Sequence, residues 1–215
     1  MKRKAPFGSK PSVYKKAKKD EPALSITPVP RYYSVRRGPE KKYIDTSQAV
    51  GALAAASITL LNGTATGTDF TNRIGREILM KSIYLRLTAY NGTDQDASLR
   101  IMLVYDKQPN GATPAITDIL TASDIISPNN LNNKDRFTTI SDKVRKISTA
   151  SDRGFWHKKY KYIQYNTQYS GTTNVINSIA SGALWLVLIP IINSTGASTA
   201  NFVVGYTNRV RFVDM

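Results

Sequence analysis

From residue 43 onward, apolar and polar residues alternate with period two, the mark of half-buried β-strands. In residues 78–90, Ile83, Leu85 and Leu87 fall on one face and Ser82, Tyr84, Arg86 and Thr88 on the other. Asn91-Gly92 and the polar residues after it make a turn. Leu99, Ile101, Leu103 and Tyr105 then continue as a second strand, which Pro109-Asn110-Gly111 stops. Thr117 and Asp118 suit a helical start in 116–120. Residues 135–140 and 144–148 read as two short strands about a Ser141-Asp142-Lys143 turn, and 156–165 as an aromatic and basic strand. Residues 183–189 are apolar on both faces and belong in the middle of a sheet. Residues 202–213 close the chain, with Val210 and Phe212 opposite Arg209 and Arg211. With 57–61, ahead of a Gly/Thr turn at 62–68, the count is eight strands. Many short strands and no long amphipathic helix predict an all-β fold, a single eight-stranded antiparallel sandwich or barrel of the jelly-roll kind.

Residues 1–42 break this pattern. The first nineteen hold eight cations, Lys2, Arg3, Lys4, Lys10, Lys15, Lys16, Lys18 and Lys19, and no acid. Like charges spaced by Pro6, Gly8 and Pro11 repel, and little apolar surface offsets the entropy of ordering them. Residues 20–42 add Pro22, Pro28, Pro30 and Pro39, which exclude a regular helix. The expectation is a disordered or extended basic arm over 1–42, including its linker, ahead of a folded domain over 43–215. The net charge is +15, of which +10 lies in residues 1–42.

An arm of this sign replaces the counterions around a polyanion, above all a nucleic acid. Arg31, Arg36 and Arg37 flank Tyr32 and Tyr33. This stretch either packs across the body or offers guanidinium and phenol faces to bases. In the body, Lys159, Lys161, Arg209 and Arg211 are candidates for a nucleic-acid wall, with Tyr160 and Tyr162 for stacking. Cross-strand pairing and surface ion pairs are the competing account. The clusters Lys2-Arg3-Lys4 and Lys15, Lys16, Lys18, Lys19, ten residues apart, also have the form of a bipartite nuclear import signal. That form implies a host import receptor as partner and the host nucleus as a location.

Other chemistry finds little footing. There is no Cys, hence no disulfide framework. No apolar h-region follows the basic start, and the longest apolar run is too short to span a bilayer. His157 is the single histidine, in a Lys/Tyr-rich strand without a nucleophile elbow, so no catalytic residue and no enzyme activity is expected. Asp94 and Asp96 with Asn91 have oxygen ligands that suit calcium, but read better as solvated turn residues. Gly63, Gly67 and Gly75 are not followed by Gly-Lys-Ser/Thr and form no P-loop. No cofactor and no metal is expected. The sequons at Asn62, Asn91 and Asn193 read as turn chemistry.

One family resemblance runs through the body in order. Asn72-Arg73-Ile74-Gly75-Arg76, with Met80 to Arg86 after it, resembles a run in capsid proteins of small circular single-stranded DNA viruses, geminivirus coat proteins among them. Leu103 to Gly111, Lys134-Asp135-Arg136-Phe137 with Asp142-Lys143, and Arg209 to Asp214 resemble later strands of the same proteins. Geminivirus coat proteins carry a Cys/His segment that has no counterpart here. The resemblance implies a jelly roll of two four-stranded sheets that self-assembles into an icosahedral (T=1) shell of about 60 copies. It implies a virion location and a basic arm facing a packaged single-stranded DNA genome. Sixty arms would carry about 600 positive charges against one negative charge per nucleotide. The alternative from another class is a non-capsid single-stranded nucleic-acid-binding β-module with a basic tail.

Overall fold

The structure is a computed structural model that describes residues 39–92, 96–148, 153–192 and 202–215. The described residues form nine strands, one more than expected. They are β1 (Lys42–Leu53), β2 (Ser57–Leu60), β3 (Glu77–Asn91), β4 (Ala97–Asp106), β5 (Phe137–Ile147), β6 (Gly154–Tyr169), β7 (Ile179–Ser181), β8 (Ala183–Ile192) and β9 (Phe202–Asp214). Their single α-helical turn, α1 (Ile116–Ile119), lies where Asp118 accepts a hydrogen bond from the Ala115 amide at 2.8 Å.

Three differences from the sequence reading have physical causes. β1 was not foreseen, because KYIDTSQAVGAL gives an edge strand only three residues with buried side chains. The two short strands about Ser141-Asp142-Lys143 are one, β5. The polar triplet pairs in register with Leu103, Met102 and Ile101 rather than turning, and the ladder's one irregularity falls just before it, at Ile140. β7 is too short to show a period.

Two antiparallel sheets form, in the orders β1-β9-β3-β6-β7 and β2-β8-β4-β5. The pairings are nested: β1 with β9, β2 with β8, β3 with β6, β4 with β5. A long hairpin rolled into a sandwich gives this order, which is a jelly roll with β7 added at one margin. Tyr105 fixes which side of β4 looks inward, since its hydroxyl donates to the Asn166 carbonyl of β6 at 2.6 Å and its ring stacks on Tyr165. Leu99, Ile101 and Leu103 share that side with Leu184, Leu186 and Leu188 of β8. From the other sheet come Ile83, Leu85, Leu87, Val210 and Phe212, all buried.

The motif residues largely hold this sandwich together. Arg73 is buried, donates to the carbonyls of Gly75 and Gly171, and lies 4.2 Å over the Tyr169 ring. It thereby clamps three segments at one end of the barrel. Asp106, fully buried, takes a two-pronged ion pair from Arg136 at 2.8 and 2.9 Å. Lys42, the first residue of β1, is buried against the Asn72 carbonyl at 3.0 Å and Asp214 at 3.2 Å. Asn62 is fully buried with both ends of its amide engaged, by Thr167, Gly182 and Leu184. This commits it to the fold rather than to a sugar.

Residues 107–136 cross from β4 to β5 over the outward side of the four-stranded sheet. Arg100 pins them there. It donates to the carbonyls of Asp124 and Ser127 at 3.2 and 2.7 Å and pairs with Asp142 of β5 at 2.6 and 3.0 Å. Every residue of β4 is consequently buried.

Candidate nucleic-acid interface

The outward side of the five-stranded sheet has no such cover among the described residues. Register sets out its side chains in rows. Tyr43, Arg211, Ser82 and Tyr162 lie across β1, β9, β3 and β6. Next come Asp45, Arg209, Tyr84 and Tyr160, then Ser47, Thr207, Arg86 and Lys158. Thr88 stands beside Trp156.

Arg209 is held flat by two bonds to Asp45, at 2.6 and 2.7 Å, and lies 4.6 Å over Tyr43. The bond to Asp45 raises its basicity. Arg86 and Lys158 both approach the Tyr84 ring, at 5.7 and 5.8 Å. Tyr160 and Tyr162 meet edge to face with centroids 5.0 Å apart. Hydrogen bonds with Tyr162 and Ser82, then the charges of Arg211 and Lys41, hold the Tyr160 hydroxyl below the ordinary phenol range. The same contact raises Tyr162. Between Ser82, Tyr84, Arg86, Tyr160, Thr207, Arg209 and Arg211 lies a dish of about 440 Å³. Trp156 and Tyr162 are each 79% exposed. Four cations against one carboxylate, with bare aromatic faces between them, suit a single strand of nucleic acid. Cations suit phosphates and exposed rings suit the faces of unpaired bases.

The four wall residues expected from sequence do not share one face. Arg209 and Arg211 lie in the rows above with Tyr160 and Tyr162. Lys159 and Lys161 alternate with those tyrosines along β6 and point the other way, between the sheets. The Lys161 ammonium donates to the Ile140 carbonyl of β5 at 2.6 Å. Period two makes this unavoidable for neighbours on one strand. Tyr84, Arg86, Lys158 and Trp156 belong to the face and were not singled out. Only the pairing of β3 with β6 reveals them, and a single sequence does not contain it.

The arm candidates Lys2, Arg3, Lys4, Lys10, Lys15, Lys16, Lys18, Lys19, Arg31, Arg36 and Arg37 lie outside the described residues, as does Asp94. Asp96 is paired with Lys146 at 2.7 Å. His157 is buried. Burial and then the charges of Arg145, Lys159 and Lys143 lower its pKa. Those neighbours are positive, the reverse of the carboxylate that orients a catalytic imidazole.

Comparison with known proteins places the chain. The sequence model of the satellite tobacco necrosis virus coat protein matches residues 39–215. The coat protein of satellite tobacco necrosis virus 2 is 31% identical over 144 residues, 63% of this chain and 69% of that one. Among solved structures, Desmodium yellow mottle tymovirus aligns over 100% of this chain and 96% of that one, at 10% identity and a TM-score of 0.36. The empty head of turnip yellow mosaic virus aligns over 93% and 90%, at 10% identity and a TM-score of 0.34. The fold rests on its own strand order, not on these two. The expected kinship with coat proteins of circular single-stranded DNA viruses is corrected in its finer part. Arg73, Asp106 and Arg136, which carried it, perform clamping and pairing tasks of the sandwich and say nothing of a genome. What stands is the coarser statement, a viral coat protein: the chain belongs to the satellite tobacco necrosis virus coat protein family.

Proposed function

We propose that this chain assembles into a closed icosahedral shell, of about 60 copies in the simplest symmetry, and packages a single-stranded nucleic acid. The observation that carries the packaging half is the uncovered face of the five-stranded sheet, with Arg86, Lys158, Arg209 and Arg211 set among Tyr84, Tyr160, Tyr162 and Trp156. Its marginal strand, β1, is also where the chain enters from residues 1–41. Lys42, where β1 begins, thus stands at the edge of the basic face. In this reading residues 1–41 neutralise phosphate without regard to sequence, Lys42 being committed to the fold, and the sheet engages bases. The choice of DNA as cargo rested on the corrected resemblance and is not carried forward, since phosphate contacts do not distinguish the sugar. The two arm clusters, Lys2-Arg3-Lys4 and Lys15 to Lys19, are proposed in addition as a nuclear import signal.

Purified full-length protein should run as particles many times the 23.8 kDa chain mass. Monomers or dimers at all salt and pH would sink the shell. Deleting residues 2–19 should leave particles with a depressed ratio of absorbance at 260 to 280 nm. Full cargo in those particles would move the burden to the sheet. Digesting extracted cargo with ribonuclease or deoxyribonuclease identifies the sugar. A reporter fused to residues 1–42 should leave the nucleus when Lys15, Lys16, Lys18 and Lys19 become Ala, and if it stays, the import signal is refuted.

A further inference from the structure

A second positive site lies on the inner side of the sandwich, away from the uncovered face. β5 ends its sheet, and across from it lies the stretch of β6 that β7, paired only at Gln168 and Tyr169, leaves without a neighbour on that side. Register gives the direction of the β5 side chains. Ser141, Lys143 and Arg145 pair with Leu103, Ile101 and Leu99, whose side chains look into the sandwich. From β6, His157, Lys159 and Lys161 look back at them, and the bond from Lys161 to the Ile140 carbonyl spans the gap. Four cations thus meet in the mouth between the two strands. The one carboxylate among these β5 residues, Asp142, points outward and is taken by Arg100. At the floor of the mouth, His157 is only 7% exposed, and its Nδ1 is buried without a hydrogen-bond partner. Among the described residues, the charges acting on its ring are those of Arg145, Lys159 and Lys143.

We propose that this mouth binds a phosphate group, with Lys143, Arg145 and Lys159 supplying charge and His157 supplying a ring N–H at the floor. Converging cations over a buried, unpaired imidazole nitrogen leave an acceptor-rich anion as the missing partner. The competing account is that inward-pointing charges merely keep the edge strand β5 from pairing with another chain. Edge protection requires the lysines and the arginine. It does not require an unpaired histidine nitrogen beneath them. The phosphate is either a free ion or part of a nucleic-acid backbone, and the two sources are separable.

His157 is the only histidine, so its imidazole resonances in full-length protein labelled with ¹⁵N-histidine report on this mouth alone. Inorganic phosphate, titrated against chloride at constant ionic strength, should shift them with saturation. Lys143→Ala with Arg145→Ala should weaken the response at least tenfold, and Lys143→Arg with Arg145→Lys should restore it. The restoring pair keeps the test decisive if the alanine pair fails to fold. Identical, non-saturating shifts in phosphate and chloride would overturn the proposal and leave edge protection as the whole role. Adding oligothymidylate to the phosphate-saturated protein separates the sources: displacement assigns the site to a backbone phosphate, retention to a free ion. Arg209→Ala with Arg211→Ala should leave the phosphate response intact, because these residues lie on the other side of the sheet. The mouth thus stands or falls separately from the packaging interface.

Discussion

The two outward faces of the sandwich carry one tryptophan each, and the two side chains have opposite fates. Trp185 of β8 pairs with Val104 on the outward side of the four-stranded sheet, yet is 1% exposed. Trp156 of β6 stands on the outward side of the five-stranded sheet and is 79% exposed. The difference is the crossover 107–136, which Arg100 and Arg136 draw down over the first sheet. It turns that sheet into a three-layered core. Among the described residues, the second sheet keeps a bare surface of rings and cations. A large aromatic left in water gains nothing for the fold, and none of the described residues gives Trp156 a cover.

The largest expected effect breaks this contrast at the tryptophans. Trp185→Ala should destabilise the protein by about 3–5 kcal/mol through lost burial and the cavity left behind. Trp156→Ala should change stability by less than about 0.5 kcal/mol, as surface substitutions do. Chemical denaturation followed by far-ultraviolet circular dichroism gives both values. Iodide should quench Trp156 and spare Trp185. Comparable losses from both variants would mean that the second face is covered after all.

Next in size is the pin at the base of the crossover. Asp106→Asn leaves the Arg136 guanidinium facing a neutral amide in a largely buried place. The expected loss is roughly 2–3 kcal/mol, below that of a fully buried pair because Arg136 keeps 20% of its side-chain surface. Trp185 emission should shift to the red in the same variant if the crossover loosens. An unchanged spectrum would show that Arg100 holds the cover alone.

How far the sequence anticipated these faces follows from what a period of two can carry. Alternation marked which residues of β3 and β9 lie on opposite sides. The unbroken apolar run 183–189 placed β8 in mid-sheet, where it lies between β2 and β4. Alternation does not say which strand lies beside which. That is why Tyr84, Arg86 and Lys158 were not joined to Arg209 and Arg211, whereas setting Lys159 and Lys161 on one wall with Tyr160 and Tyr162 went against the alternation itself. β1 was missed because its polar residues outnumber its buried ones. The Asp106–Arg136 pair joins residues thirty positions apart, and nothing local to either announces the other. The crossover itself was visible only as turn residues; its role as a lid rests on Arg100, an arginine inside an apolar strand.

A third test sharpens the functional side of the comparison. Replacing Arg86, Lys158, Arg209 and Arg211 one at a time by Ala should each lower the salt dependence of single-strand binding by about 0.7 in the log–log slope. Trp156→Ala should weaken binding by about 1–3 kcal/mol if a base stacks there, with the slope unchanged. Arg209→Ala should cost under about 1 kcal/mol of stability, because its pair with Asp45 is exposed. A slope that ignores all four cations would assign binding wholly to the arm.

The smallest effect lies one residue from Trp156, on the opposite side of the same strand. Burial, then the charges of Arg145, Lys159 and Lys143, depress the pKa of His157 below its ordinary 6.5. The unfolded chain therefore takes up a proton near pH 6.5 that the folded chain refuses. Protons favour the state that binds more of them. The contribution of His157 is fully present above pH 6.5 and declines as pH falls from there toward the lower folded value. His157→Gln should flatten stability against pH over that window and leave the remaining acid dependence, which belongs to the carboxylates, in place. Chloride buffers are needed, since an anion in the mouth would favour the protonated ring and shrink the slope. A slope that survives the substitution would mean that the ring is charged in the fold. Buried repulsion among the cations would then have to be relieved by a partner, on the inner side of the very strand whose outer side is bare.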